Sequence, residues 1–461
     1  MLRRILRVFS PSSTLEGMLA YPEGKRIYRE FHSLRREQMD QDALKVINRL
    51  NRHGHRSYLV GGCVRDMLLG RRPKDFDVVT SATPTQIRKI FSNSRSIGRR
   101  FKIVHVIFRG GKVIEVSTFR SLPDHRFEPG KKDDYMLKRD NQYGNPREDA
   151  ARRDFTINAI FFDPRNESVI DYVGGYDDIN NKAIRVIGDA DISFKEDPVR
   201  MLRAAKFAAL LDFNIDPGTL KGIKRNKNEI QKASTARLLE EYNKIFRTGR
   251  SFQIFQSLAE TGLLKAMLPE AWNASDAGKS DFADSSIGRR LSIADKMLDE
   301  REDLTTIIFT ALLICDLVSD VFTGQVKGNI TEYVRQRMLP ACERMQIPGK
   351  DRDRLLQMFI SQTRFRHSGK SKKSRPDVFR NKVFFYEAFM LFKIYTLSIN
   401  DEESIQKAMF WEIGPRGRPP EVNKIISAFP PRRNQRRNGG RGGQNRSGGN
   451  RPRKNRTADK Q

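Results

Sequence analysis

The sequence is short of cysteine, of histidine, of long apolar runs and of negative charge. Its three cysteines, Cys63, Cys315 and Cys342, lie far apart and never form a Cys-x-x-Cys pair. Neither a disulfide framework nor a zinc knuckle can be built on that spacing, and a reducing, cytoplasmic setting is expected. Six histidines are scattered, and the close pair His53 and His55 reads as a polar loop after a helix. No run approaches the ~20 apolar residues that a helix needs to cross a bilayer, so no transmembrane segment is expected. The longest run, Ile307 to Ile314, reads as a buried core helix. The N-terminus lacks the apolar stretch of a signal peptide.

Acidic residues are outnumbered: 86 Lys and Arg face 56 Asp and Glu in 461 residues, a net charge of +30. Such an excess implies a polyanionic partner, because neutralising phosphates releases condensed counterions. Nucleic acid is the usual candidate and an anionic membrane surface the rival. Leu2, Ile5, Leu6 and Phe9 share one helical face, with Arg3, Arg4 and Arg7 away from it. That pattern suits a peripheral membrane contact, although a frayed basic end is the plainer account of so short a helix. Residues 1–40 read as a basic arm. Residues 426–461 are low-complexity Arg, Gly and Asn with one acid, Asp459, and are expected to be disordered.

Between these ends the pattern divides in two. Ala43, Val46, Ile47 and Leu50 repeat at helical spacing, and Tyr58-Leu59-Val60 reads as a strand running into Gly61-Gly62. A short helix is expected from Val64 to Leu69, closed by Gly70, and then a strand from Lys74 to Val79. Thr83-Pro84-Thr85-Gln86 is a capping box with proline at the first helical position. Ile103–Phe108 and Val113–Phe119 are strand-like, and Gly110-Gly111 between them suits a tight hairpin. The first region, to about residue 180, is therefore mixed α/β with antiparallel pairing. From Asp197 onward the periodicity is helical. The stretch Arg364 to Lys382 is basic and reads as exposed.

The chemistry concentrates in Asp75-Phe76-Asp77. On a strand, residues i and i+2 point to one face, so the two carboxylates converge while Phe76 and Val78 turn to the core. Parallel carboxylates repel unless something positive lies between them, and two divalent ions ~3.5–4 Å apart would clamp the attacking and leaving oxygens of an in-line displacement. Gly61 and Gly62 leave backbone N–H groups to approach a triphosphate. Neither motif is specific alone; joined by a strand, turn and helix they are. Glu115 has the opposite parity to Ile114 and Val116. It is either an exposed polar residue on a half-buried strand or a third catalytic carboxylate, activating a hydroxyl or completing the metal shell.

Leu59-Val60-Gly61-Gly62-Cys63-Val64-Arg65-Asp66, with Leu68-Leu69-Gly70 and Asp75-Phe76-Asp77, resembles the first motif of the class II nucleotidyltransferases. That family comprises bacterial poly(A) polymerases and CCA-adding tRNA nucleotidyltransferases. Arg152-Arg153-Asp154-Phe155-Thr156-Ile157-Asn158-Ala159 is similar to its second motif, and Asp171-Tyr172-Val173-Gly174-Gly175 with Asp178 to its hinge motif. Glu196-Asp197-Pro198-Val199-Arg200-Met201-Leu202-Arg203 resembles the nucleotide-selecting motif, and Arg237-Leu238-Leu239-Glu240-Glu241 the helical motif after it. The five stand in family order over roughly residues 57–270. The resemblance implies an α+β nucleotidyltransferase head (41–180), a helical neck that selects the nucleotide (181–250) and a helical RNA-binding body (251–425). It implies Mg2+ on Asp75 and Asp77, ATP as substrate, and Arg65 and Arg153 on the nucleotide or triphosphate. Asp154 would hold Arg153 or the ribose, or act as a catalytic residue.

The selecting motif also makes physical sense. Asp197 and Arg200 fall one helical turn apart, with Arg203 three residues further on the same side. A carboxylate accepts from an exocyclic amine while a guanidinium donates to the adjacent ring nitrogen, an order that adenine and cytosine present and uracil and guanine do not. Arginines at a helix N-terminus otherwise oppose the helix dipole. The five motifs do not choose between A and C-C-A addition. Ile97-Gly98-Arg99-Arg100-Phe101-Lys102-Ile103-Val104-His105-Val106 and the basic C-terminal half resemble the poly(A) polymerase branch, and arginine suits grip on varied RNA 3′ ends. The expectation is an adenylyltransferase for RNA polyadenylation and turnover, with other RNA-processing proteins as further partners. The alternatives are a CCA-adding enzyme, a non-catalytic RNA-binding protein, and nucleotide transfer to a small molecule, which would leave the charge unexplained.

Overall fold

The computed structural model describes residues 15–98, 102–122, 142–366 and 376–413. The expected membrane-facing end, residues 99–101 and 367–375 of the two basic stretches, and the Arg/Gly tail lie outside the described residues.

Helix α1 (Gln41–Arg52) starts at Asp40, whose carboxylate accepts from the N–H groups of Asp42 and Ala43. It buries Ala43, Leu44, Val46, Ile47 and Leu50, the apolar stripe read from the sequence. The chain around it builds one eight-stranded sheet. Its strands are β1 (Lys25–Ile27), β2 (Ser57–Val60), β3 (Asp77–Thr80), β4 (Ser94–Ile97), β5 (Ile103–Ile107), β6 (Val113–Thr118), β7 (Phe161–Asp163) and β8 (Ser168–Asp171). The order is β1-β8-β7-β2-β3-β6-β5-β4, and every neighbouring pair is antiparallel except β3 with β6. This is the mixed, largely antiparallel head that was expected.

Two local expectations change. Residues 1–40 are not an arm throughout, because Lys25–Ile27 pairs with residues 169–171 as the sheet edge. The strand expected from Lys74 begins only at Asp77. Its antiparallel partner β2 ends at Val60, where the chain turns at Gly61, so residues 74–76 have no β2 residue to pair with. The hairpin between β5 and β6 forms as expected: Phe108 N–H donates to the Lys112 carbonyl at 2.8 Å, and Gly110 and Gly111 take φ of +75° and +80°.

Helix α2 (Gly62–Leu68) follows β2 and α3 (Pro84–Ile90) follows β3, the latter opened by the Thr83–Gln86 capping box. Helix α4 (Pro146–Ala151) precedes β7, and α5 (Gly175–Asn180) follows β8. The neck continues with α6 (Ala190–Glu196), α7 (Val199–Leu211), α8 (Pro217–Asn226) and α9 (Thr235–Ile245). A two-residue parallel pair, β9 (Ala183–Ile184) with β10 (Asn214–Ile215), ties the start of the neck to the end of α7.

Beyond Ile215 the described residues contain no further strand. The body packs α10 (Ser251–Glu260), α11 (Ser286–Asp299), α12 (Thr306–Ile314), α13 (Ile330–Arg344), α14 (Gly349–Phe365), α15 (Phe385–Ile399) and α16 (Glu402–Ile413). Phe365, Phe385 and Trp411 form its aromatic centre, with Trp411 Nε1 donating to the Phe365 carbonyl at 3.2 Å. Helix α12 buries seven of its nine residues and is the core helix anticipated from its composition. All three cysteines are buried and unpaired, and burial pushes the Cys63 and Cys315 thiols up to about 12.

Candidate active site

The parallel pairing of β3 with β6 puts Asp77 directly beside Glu115. Val78 and Val116 alternate inward and are fully buried, so both carboxylates are turned to the opposite, open face. Asp75 lies just before β3 and is exposed, while Phe76 packs against the core. The cluster is electrostatically tense. Burial, reinforced by the negative charges of Glu115 and Asp75, pushes the Asp77 carboxyl up to about 6, and Arg153 only partly offsets this.

A cation beside a partly buried acid that feels two other negative charges would relieve their repulsion. Among the described residues no three acidic, histidine or cysteine side chains are grouped to hold a metal by themselves. Magnesium does not need that. It takes hard oxygen donors and is usually held by one or two carboxylates, with substrate phosphates and water filling its octahedron. Asp75 and Asp77 fit that donor set.

The glycine turn faces this cluster. Gly61 adopts φ +80°, ψ −133°, and its N–H donates to the Ile160 carbonyl at 3.1 Å, so it is not open to a phosphate as expected. The N–H of Gly62, the first residue of α2, is the one the turn presents. A Cβ on Gly61 would stand 3.4 Å from Arg153 Nη1. Gly61→Ala is therefore expected to destabilise the head by about 2 kcal/mol through backbone strain, read as a lower denaturation midpoint.

Arg153 is held by Asp149, with Nε and Nη2 donating to Oδ2 at 3.1 and 2.8 Å, and it lies over the Phe161 ring. The expected Arg153–Asp154 pairing does not form, because Asp154 belongs to a different network. Arg203 on α7 grips the Asp154 carboxylate through Nε at 2.8 Å and Nη2 at 2.6 Å, and Asn158 donates to Asp154 Oδ1 at 3.1 Å. Burial alone would raise Asp154, but Arg203, the Asn158 hydrogen bond and Arg200 together hold it down at about 2. Asn158 in turn accepts from Arg65 Nη1 at 2.6 Å, and Arg65 also donates to Asp66. Arg65, Arg203 and Lys206 all stand over the Phe207 ring at 5.1–5.2 Å. On its far side Arg203 meets buried Glu241 of α9 at 3.2 Å, and Lys206 pairs with the same carboxylate. Head and neck are thus joined by one chain of ion pairs and hydrogen bonds running from Asp66 to Glu241.

At the break between α6 and α7, Asp197 and Arg200 sit one turn apart, as their spacing implied, but neither is idle. Arg237 of α9 takes Asp197 in a two-pronged fork, both N–O distances 2.7 Å, while Asp197 Oδ1 also accepts from Val199 N–H at 3.3 Å. Arg200 is buried, donating to Ser193 Oγ at 2.6 Å and to the Arg152 carbonyl at 3.4 Å.

The structure therefore brings Asp75, Asp77, Glu115, Arg153 and Gly61-Gly62 to one place, and Arg65, Asp154 and Arg203 to its flank. Reading residues alone missed the linking roles of Asp149, Asn158, Phe207, Arg237 and Glu241. Two local signals were available: Asn158 stands four residues after Asp154, and Lys206 extends the three-residue spacing of Arg200 and Arg203.

The chain is similar to known proteins. The family described as poly A polymerase head domain matches residues 57–185, and one described as the probable RNA and SrmB-binding site of polymerase A matches residues 212–275. Poly(A) polymerase I of Salmonella typhi is 34% identical over 440 residues, 92% of this chain and 94% of its own. Poly(A) polymerase I of Escherichia coli O157:H7 is 44% identical over 261 residues, 56% of each chain. The CCA-adding enzyme of Geobacillus thermodenitrificans is 38% identical over 223 residues, 48% of this chain and 53% of its own. Among solved structures, the Bacillus stearothermophilus CCA-adding enzyme in complex with CTP superposes with a TM-score of 0.57 at 25% identity, over 80% of this chain and 81% of that one.

Proposed function

Because the chain belongs to the bacterial poly(A) polymerase I family of class II nucleotidyltransferases, we propose that it is a template-independent polynucleotide adenylyltransferase, extending RNA 3′ ends with AMP from ATP and releasing pyrophosphate. The structural observation that carries this reading is the side-by-side register of Asp77 and Glu115 beneath the Gly61-Gly62 turn.

The triphosphate lies against the Gly62 N–H, Arg153 and Arg65, whose positive charge offsets that of the phosphates. Asp75 and Asp77 would hold magnesium, which would supply Lewis-acid stabilisation of the charge that builds on the α-phosphate. Glu115 takes the proton of the RNA 3′-hydroxyl or completes the shell around the cation. The hydroxyl oxygen bonds to the α-phosphorus as the bond to the β-phosphate oxygen breaks, and positioning accounts for most of the acceleration. Asp197 and Arg200 read the adenine edge. The fork from Arg237 fixes the orientation of the Asp197 carboxylate, whose oxygens are acceptors suited to an exocyclic amine. Arg203 and Asp154 fix the neck against the head so that base and phosphate sites keep their separation.

The positive charge of the chain supports RNA, and a cytoplasmic setting accords with its buried free thiols. Any membrane contact or protein partner would belong to the N-terminal arm and the basic C-terminal half. CCA addition is the second reading, favoured by likeness to CCA-adding enzymes over about half of this chain. It is separated from the first by offering ATP or CTP singly to the purified protein with generic RNA or CCA-less tRNA. Long A-only extension of generic RNA is the expected result; a stop after C-C-A on tRNA would reverse the assignment.

A further inference from the structure

The open face of the sheet carries a row of residues of which the proposed reaction uses only two, Asp77 and Glu115. Strand pairing places Arg95 of β4 opposite His105 of β5, His105 opposite Glu115 of β6, and Glu115 beside Asp77 of β3. His105 has no choice of side: Val104 and Val106 flank it in sequence and are fully buried, so its ring must emerge with the carboxylates. Its Nε2 stands 3.3 Å from Glu115 Oε1, and its side chain is 20% exposed against 49% for Glu115.

We propose that His105 is the positioning residue for Glu115, its ring N–H holding that carboxylate next to Asp77 for the transfer step. The inference rests on the catalytic reading of Glu115 above. Glu115 has three side-chain torsions, is half exposed, and sits beside Asp77, which has the same sign. Without a donor on its other side, repulsion drives it away from Asp77 into solvent. His105 is placed on the far strand, where its ring nitrogen, 3.3 Å from Oε1, opposes that swing. Contacts between exposed charged groups contribute little to stability, so the effect of this one lies in geometry: a small misplacement of a reacting group costs far more in rate than in folding. Whether Glu115 takes the hydroxyl proton or binds the cation, a fixed carboxylate is required.

The test is steady-state adenylation by the full-length protein, with Mg2+, ATP and an oligoadenylate primer. His105→Ala lowers kcat about tenfold while the KM for ATP stays within about twofold, and the melting temperature stays within about 2 °C. His105→Gln, whose amide nitrogen can stand where Nε2 stands, restores kcat to within about threefold of wild type. Because His105 acts through Glu115, the double variant His105→Ala/Glu115→Gln is no slower than Glu115→Gln alone. An unchanged kcat in His105→Ala, a loss that glutamine does not repair, or a loss that adds in full to that of Glu115→Gln overturns the inference. Full activity in Glu115→Gln instead overturns the catalytic reading of Glu115, and absence of adenylation by the wild type overturns the proposed function.

Discussion

Asp77→Asn is expected to abolish nucleotide transfer and, in the absence of magnesium, to make the protein more stable. The loss of activity should be on the order of 10³-fold or more, since the variant removes one of the two charges proposed to hold the metal at the reacting phosphate. Unchanged RNA-dependent activity in this variant, or in Asp75→Ala/Asp77→Ala, would support the non-catalytic RNA-binding alternative. The gain in stability follows from the raised carboxyl of Asp77, held at about 6 by burial, Glu115 and Asp75. Its unfolded value is about 4, so the native state binds the extra proton and wild-type stability falls as pH rises from about 4 through 6. Two pKa units correspond to about 3 kcal/mol, and the partial solvent access of Asp77 reduces the expected gain to about 1–2 kcal/mol at pH 8. The advantage should vanish below pH 4, where Asp77 is protonated in both states. Magnesium should raise the melting temperature of the wild type and leave that of Asp77→Asn nearly unchanged. Thermal melts at several pH values, with and without the ion, check all three statements. A melting temperature at pH 8 lower than that of the wild type without magnesium would contradict the electrostatic account.

Glu241→Ala should be the most damaging single change in the neck. Glu241 is 5% exposed and receives both Arg203 and Lys206, the latter itself 6% exposed. Removing the carboxylate leaves Lys206 buried beside Arg203 without its counter-charge, while Arg203 keeps Asp154; for one uncompensated buried charge a loss of about 3–5 kcal/mol is typical. Burial would raise the Glu241 carboxyl, yet Lys206 and Arg203 more than reverse this and its value is lowered. The stability it contributes is thus complete above its unfolded value of about 4.3 and is lost as pH falls through the lower folded value. Wild type should lose stability on acidification through that window, and Glu241→Ala should lose less. Denaturant titrations at pH 7 and pH 4 read the difference, with hydrogen exchange on α7 and α9 locating it. Equal acid sensitivity in the two proteins would mean that the pair contributes nothing to the fold.

Both expectations depend on contacts that no local pattern announces. The helices, caps and hairpin were legible because their causes lie within a few residues: the apolar spacing of α1, the Thr83–Gln86 box, the paired glycines between β5 and β6. The Asp75/Asp77 and Gly61-Gly62 motifs were legible for the same reason, and their joint appearance pointed to phosphate chemistry. The start of β3 was misjudged because a strand extends only as far as its neighbour, and β2 stops at the Gly61 turn.

By itself, then, the sequence determined the element types, the pairing of two carboxylates at Asp75 and Asp77 beside a glycine turn, and the demand for a polyanionic partner, because alternation, capping and charge are local or additive. Tertiary structure alone decided that Glu115 stands beside Asp77 rather than facing empty solvent, since that depends on a parallel pairing across a crossover. It also decided that Asp154 answers to Arg203, 49 residues away, instead of its neighbour Arg153, and that Asp197 is gripped by Arg237, 40 residues on. Side-chain pairing among many arginines and carboxylates is settled by which of them burial forces together, and a linear chain carries no direct record of that.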